Sequence, residues 1–171
     1  MNVLVINGSP RKSGNTAALV DAFAEEAKKA GHNVFVKQIG NMDIRGCKNC
    51  DACRNSLNGE CAQTDDMCDI FPLMRECEVL VIASPIYYYS LTGQTHCFIE
   101  RCYAFERLPK LKKAALLLTA GGGGFTSAIQ TYKDAIVGHM GAQNMGVITA
   151  SGNQARSLAK LDEARKIAKK L

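Results

Sequence analysis

Apolar and polar positions alternate along the chain in blocks. Continuous apolar runs stand at Val3 to Ile6, Val79 to Ala83, Ala114 to Leu118 and Gly146 to Ala150. Runs of this length predict strands buried on both faces of a parallel sheet. The stretch Asn33 to Ile39 alternates instead, as an edge strand with one wetter face would. Helical spacing fills the gaps. Thr16 to Ala30 places Leu19, Phe23, Ala27 and Ala30 on one stripe, and Gly31 supplies a stop. Further helices are predicted over Asp65 to Cys77, Leu91 to Glu106, Ser127 to Met140 and Gln154 to Leu171. The cations Lys166, Lys169 and Lys170 suit the C-terminus of the last one. Strand and helix alternate throughout. This predicts the α/β class, an open parallel sheet with helices on both faces and right-handed crossovers. No linker or repeat divides residues 1–171, so one domain is expected. The irregular stretch from Gly40 to Thr64 is long for a connection, and such loops are usually functional.

Composition narrows the function. Forty-seven per cent hydrophobic and 22% charged residues exclude a disordered or fibrous chain. Lys plus Arg number 21 against 16 Asp plus Glu, a net charge of +5. That excess suits a bound phosphate and is too weak and scattered to demand nucleic acid. Trp is absent and aromatics are 6%, which argues against a stacking platform for single strands. The opening apolar run is too short for a signal peptide or a membrane span, so no membrane association and a cytoplasmic location are expected. Eight cysteines in a reducing compartment point to metal or redox chemistry.

In a parallel sheet every strand's C-terminal end opens on one edge, where ligands bind. The segments after strands one to four are therefore read together. Asn7 to Thr16 runs from a buried strand into a helix N-terminus, where unpaired amides and the helix dipole favour a phosphate. Ser9, Ser13, Asn15 and Thr16 add short polar groups, and Arg11 adds charge. The segment is neither a Walker A loop nor a Gly-x-Gly-x-x-Gly fingerprint. The alternative is an ordinary loop with Asn15 or Ser13 as helix cap. Ser84 to Ser90 carries Tyr87, Tyr88 and Tyr89 in succession, which cannot all enter one core. At least one ring faces a ligand, where a flat heterocycle could lie, or a partner chain. Gly121 to Gly124 permits close backbone approach, or is simply a flexible turn.

These segments resemble those of the flavodoxin-like NAD(P)H-dependent FMN reductases. The resemblance rests on Gly8-Ser9-Pro10-Arg11-Lys12-Ser13-Gly14-Asn15-Thr16 and on Ser84-Pro85-Ile86-Tyr87, with Thr92-Gly93-Gln94 and Phe98-Ile99-Glu100-Arg101 behind it. The family commonly has Asp where Glu100 stands. The resemblance implies a flavodoxin-like three-layer sandwich, with a five-stranded sheet in the order 2-1-3-4-5. It implies that Ser9, Arg11, Ser13, Gly14, Asn15 and Thr16 bind the FMN phosphate. Pro85, Ile86, Tyr87, Tyr88, Tyr89 and Ser90 would border the isoalloxazine ring from one side, and Gly121, Gly122 and Gly123 from the fourth strand. NAD(P)H would be the transient donor, and the acceptor a small molecule such as a quinone, or a redox protein. A homodimer or homotetramer is implied, with the flavin near a subunit boundary. The chemistry resides in the flavin, so no catalytic side chain is expected.

The long loop holds Cys47-x-x-Cys50-x-x-Cys53, and Cys61 follows after seven residues. Three thiols at this spacing can converge on one centre, as in a [4Fe–4S] site completed by a later cysteine. Zinc also takes four thiolates, usually through two separated knuckles. The spacing resembles the iron–sulfur flavoproteins, a branch of the same family, but cluster-free members keep some of these cysteines before an Asp-Asp-Met segment like Asp65-Asp66-Met67. A cluster, zinc and metal-free thiols all remain open. A flavin beside a cluster would connect two-electron donors to one-electron partners such as ferredoxin-like proteins. Cys68, Cys77, Cys97 and Cys102 are expected to be buried structural thiols. His32, His96 and His139 are scattered and are not expected to ligate a metal.

Overall fold

The structure is a computed structural model and describes residues 1–55 and 59–171; residues 56–58, inside the predicted Gly40 to Thr64 loop, lie outside the described set. Five parallel strands make one sheet in the order β2-β1-β3-β4-β5. They are β1 (Asn2–Asn7), β2 (Asn33–Gln38), β3 (Val79–Pro85), β4 (Lys113–Ala120) and β5 (Gln143–Ser151). β1, β3 and β4 carry the continuous apolar runs and are the buried strands, as expected of a sheet covered on both faces. β2 is an edge, with Phe35 and Val36 partly exposed.

Successive residues face opposite sides of the sheet. Val3, Val5, Val81 and Leu117 pack beneath helix α1 (Asn15–Lys29) and the last helix, α6 (Leu158–Ala168). Leu19 and Phe23 of α1 are fully buried there. Each such side chain contributes about 1.5–3 kcal/mol. Leu4, Ile6, Leu80 and Leu116 face the other layer. That layer holds α3 (Phe71–Glu76), α4 (Gly93–Arg101) and α5 (Thr126–Tyr132). A four-residue helix, α2 (Ala52–Asn55), lies in the cysteine loop. The three-layer α/β sandwich expected from the resemblance is thus observed. Among the described residues no helix is long and apolar enough to cross a membrane.

Helix ends depart from expectation where tertiary contacts intervene. Asp65 to Cys77 is a 3-10 turn over Asp66–Asp69 followed by α3. The Asp65 carboxylate caps that turn, accepting from the Met67 amide at 3.1 Å, and Pro72 opens α3. Leu91 to Glu106 becomes α4, capped by Thr92, and a 3-10 turn over Cys102–Phe105. Beyond Tyr132 the predicted Ser127 to Met140 helix widens into a π-helical turn over Lys133–His139. Gly138 faces the Lys133 carbonyl five residues back, where a Cβ would sit at 3.3 Å. The last predicted helix breaks into a 3-10 turn over Gly152–Arg156, and Ser157 caps α6 by accepting from the Lys160 amide at 3.3 Å.

Candidate functional site

The C-terminal ends of β1, β3, β4 and β5 surround a cleft of about 680 Å³. It lies where the sheet order reverses, with β2 on one side of β1 and β3 on the other. The floor is the segment between β1 and α1. Asn7, buried at the end of β1, accepts from the Ser9 amide at 3.0 Å, and Ser9 Oγ accepts from the Arg11 amide at 3.2 Å. Outside neighbours hold the carbonyls of this segment. Thr92 Oγ1 donates to Gly8 O at 3.1 Å, Gln38 Nε2 to Ser9 O at 3.2 Å and Asn41 Nδ2 to Pro10 O at 2.7 Å. Gly40 must be glycine, since a Cβ would stand 2.3 Å from the Ser9 carbonyl carbon and oxygen.

α1 begins on this floor with Gly14 as its N-cap, and no side chain caps it. Neither Asn15 nor Ser13 takes the cap expected of an ordinary loop. Asn15 Nδ2 instead donates to Gly152 O at 2.9 Å, and Thr16 Oγ1 bonds Thr119 Oγ1 at 2.8 Å. The first-turn amides therefore remain available to an anion, which the helix dipole favours. Arg11, Lys12 and Arg156 line the cleft, no lining residue is acidic, and none of the three pairs with a carboxylate among the described residues.

Pro85, Ile86 and Tyr87 form the facing wall, joined by Thr119, Ala120 and Gly121. Ile86 N donates to Thr119 O at 2.7 Å, which locks the exits of β3 and β4 together. Tyr87 and Ser90 then close a tight turn through two mutual backbone hydrogen bonds of 3.0 and 3.1 Å. The central residues Tyr88 and Tyr89 have φ of 48° and 63°, a left-handed pair of the kind Asn and Gly normally supply. Tyr88 is 100% and Tyr89 74% exposed, outside the cleft lining. Ser90 Oγ lies 2.9 Å from His96 Nε2, and Ser90 too is outside the lining. Gly121 lines the cleft, whereas Gly122 and Gly123 stand beyond it with open space around them. The glycine that the geometry requires is Gly124, at φ +84°, where a Cβ would meet the Tyr89 ring at 2.6 Å.

The structure therefore gathers Ser9, Arg11, Ser13, Gly14, Asn15, Thr16, Pro85, Ile86, Tyr87 and Gly121 in one cleft. It adds Lys12, Thr119, Ala120, Gly152, Asn153 and Arg156. Gly152, Asn153 and Arg156 follow β5, whose C-terminal end opens on the same edge; that topological signal could have found them.

The cysteine loop lies outside this lining. Cys47 and Cys50 are exposed, and Cys53 and Cys61 half-buried. The Cys53 thiol is pushed up by burial and by the neighbouring Cys61 and Cys47. Among the described residues, no three His, Cys, Asp or Glu side chains gather closely enough to hold a metal ion. The donor chemistry suits a cluster, but the side chains as arranged do not enclose one. Arg101 closes the neck of the loop, donating to Arg45 O at 3.0 Å and to Asp65 Oδ2 at 2.6 Å. The expectation for the remaining cysteines is corrected in part. Cys77 and Cys102 are buried, with Cys77 pushed up to about 12 by burial, whereas Cys97 is half-buried and Cys68 exposed. Cys68 lies on a short 3-10 turn whose buried residue is Met67.

The profile of the NADPH-dependent FMN reductase family matches residues 1–156. The chain belongs to that family. Within it, similarity runs to proteins named iron–sulfur flavoprotein. One from Archaeoglobus fulgidus is 41% identical over 101 residues, covering 59% of this chain and 48% of the relative. One from Methanosarcina thermophila is 31% identical over 139 residues, covering 78% and 72%. The chain thus spans about half the length of the Archaeoglobus relative and of a second one from the same organism. The fold is shared with a solved NAD(P)H:quinone oxidoreductase from Methanothermobacter marburgensis, at TM-score 0.75 and 16% identity, covering 98% of this chain and 97% of that one.

Proposed function

We propose that the chain is an FMN-dependent oxidoreductase that takes reducing equivalents from NAD(P)H and passes them to a small acceptor or a redox protein. The observation that carries this reading is the uncapped N-terminus of α1, set in a cleft with three cations and no acid. When bound, FMN supplies hydride acceptance and onward electron transfer.

The residues present fit that group. Ser9, Ser13, Gly14, Asn15 and Thr16 offer hydroxyl, amide and backbone donors to its phosphate, and Arg11 offers charge. Pro85, Ile86 and Tyr87, joined by Ala120 and Gly121, give its ring an apolar wall. The hydrogen-bonded floor holds these donors in place before the cofactor arrives, which spares the ordering cost of binding. Tyr88 and Tyr89, exposed at the rim, support a homo-oligomer with the cofactor near a subunit boundary. A cytoplasmic location for the chain is part of the same proposal.

Anaerobic titration of the FMN-loaded protein with NADPH and NADH tests the reading. Bleaching of the flavin absorbance by either is expected; no bleaching with both overturns it.

A second reading, one-electron transfer with ferredoxin-like partners, is favoured by Cys47, Cys50, Cys53 and Cys61 lying within one loop. Iron and sulfide analysis after anaerobic isolation decides it. About four of each per chain support the cluster, and their absence from cells grown with ample iron counts against it.

A further inference from the structure

The 3-10 turn after β5 is tied to the start of α1 and to Ser13 just before it by three hydrogen bonds. Asn15 Nδ2 donates to Gly152 O at 2.9 Å, Arg156 Nε donates to Asn15 Oδ1 at 3.2 Å, and Arg156 Nη2 donates to Ser13 O. These contacts join residues more than 130 positions apart. Asn15 works in both directions, receiving from Arg156 with its oxygen and giving to Gly152 with its nitrogen.

The consequence concerns charge. Arg11 and Lys12 line the same cleft, but their side chains are exposed and neither side chain makes a hydrogen bond or ion pair among the described residues. Each must lose rotamer freedom to meet an anion. Arg156 is held by two acceptors beside the first turn of α1. A guanidinium has five N–H donors, and these two bonds leave others for a ligand. Its fixed plane suits phosphate oxygens better than an ammonium does.

We propose that Arg156 is a phosphate-binding residue of this cleft. It makes the site selective for a flavin carrying a 5′-phosphate over the unphosphorylated riboflavin. The inference rests on the flavin reading above and extends it to the specificity of the anionic end. The two flavins share ring and ribityl chain and differ only at the terminal phosphate, so the comparison isolates that end.

The experiment titrates FMN and riboflavin separately into wild type, Arg156→Gln and Arg156→Lys, following flavin fluorescence at low and at high salt. Loss of one charge-assisted hydrogen bond at an exposed site is expected to weaken FMN about tenfold in Arg156→Gln. Riboflavin should bind all three proteins alike. The Lys variant should recover most of the FMN affinity at low salt, and added salt should weaken FMN less in the Gln variant than in wild type. Equal weakening of both flavins in Arg156→Gln, or an FMN Kd within twofold of wild type, overturns the proposal. If wild type binds FMN no better than riboflavin, the selectivity itself is absent and the proposal falls, while the flavin site stands. If wild type binds neither, the flavin reading falls and this inference with it.

Discussion

Nη1 of Arg101 stands 2.6 Å from Oδ2 of Asp65, with both side chains withdrawn from solvent. Burial alone would push the Asp65 carboxyl up. Hydrogen bonds from Arg101 and from the Arg45 and Met67 amides, with the Arg101 charge, outweigh it and hold the carboxyl below the usual carboxylate range. The pair joins α4 to both ends of the cysteine loop, because Arg101 also donates to Arg45 O.

Removing one partner leaves a buried charge alone. Asp65→Asn is expected to cost about 3–5 kcal/mol in urea unfolding. Because Asp65 releases its proton more readily folded than unfolded, its contribution is full above the unfolded value of about 3.9 and is lost as pH falls through the lower folded value. Wild-type stability should therefore decline in acid below about pH 4 more steeply than that of the Asn variant. Parallel curves would refute the assignment.

Thr16 and Thr119 share a buried hydroxyl pair between α1 and β4. Thr16→Val alone orphans the Thr119 hydroxyl and is expected to cost about 1–3 kcal/mol. The double variant Thr16→Val, Thr119→Val should cost less than the two single losses added together. Strict additivity in the double-mutant cycle would deny the bond.

Gly40→Ala forces a methyl against the Ser9 carbonyl. The backbone there cannot give way as a side-chain tip would, so a loss of at least about 1–3 kcal/mol is expected. The floor of the cleft should shift with it, and FMN should be released during desalting that wild type survives. Gly93→Ala, with open space around the new methyl, is the control and should retain cofactor.

Tyr88 holds a left-handed backbone while its side chain is fully exposed. An L-residue there costs about 1–2 kcal/mol, against about 0.5–1 kcal/mol for the greater freedom glycine loses on folding. In the monomeric form, where no partner covers the ring, Tyr88→Gly should therefore raise the melting temperature by about 2–4 °C per kcal/mol gained. A fall in Tm would show that the ring makes a stabilising contact.

What the chain revealed unaided follows from how local each signal is. The run Val3 to Ile6 and the helix stop at Gly31 depend on their own neighbours, so β1 and α1 were legible. The phosphate-type segment from Ser9 to Thr16 was legible for the same reason. The limits of α3 and α6 were not. Asp65 spends its carboxylate on Arg101 and Met67, and the turn ending at Arg156 is tied to α1, both through contacts distant in sequence. Thr119 reads as one more β-branched strand residue until α1 brings Thr16 against it. That Tyr87, Tyr88 and Tyr89 cannot all enter one core is legible in the sequence, but the left-handed turn at Tyr88 and Tyr89 violates ordinary preference and leaves no local mark.

The tie between Asn15 and the turn at Gly152–Arg156 also constrains biogenesis. The chain must emerge from the ribosome as far as Arg156 before the pocket gains its last wall. A nascent chain stalled before β5 would present the segment from Ser9 to Thr16 without the contacts that Arg156 makes to Asn15 and Ser13, so the cleft is completed only after β5 has emerged.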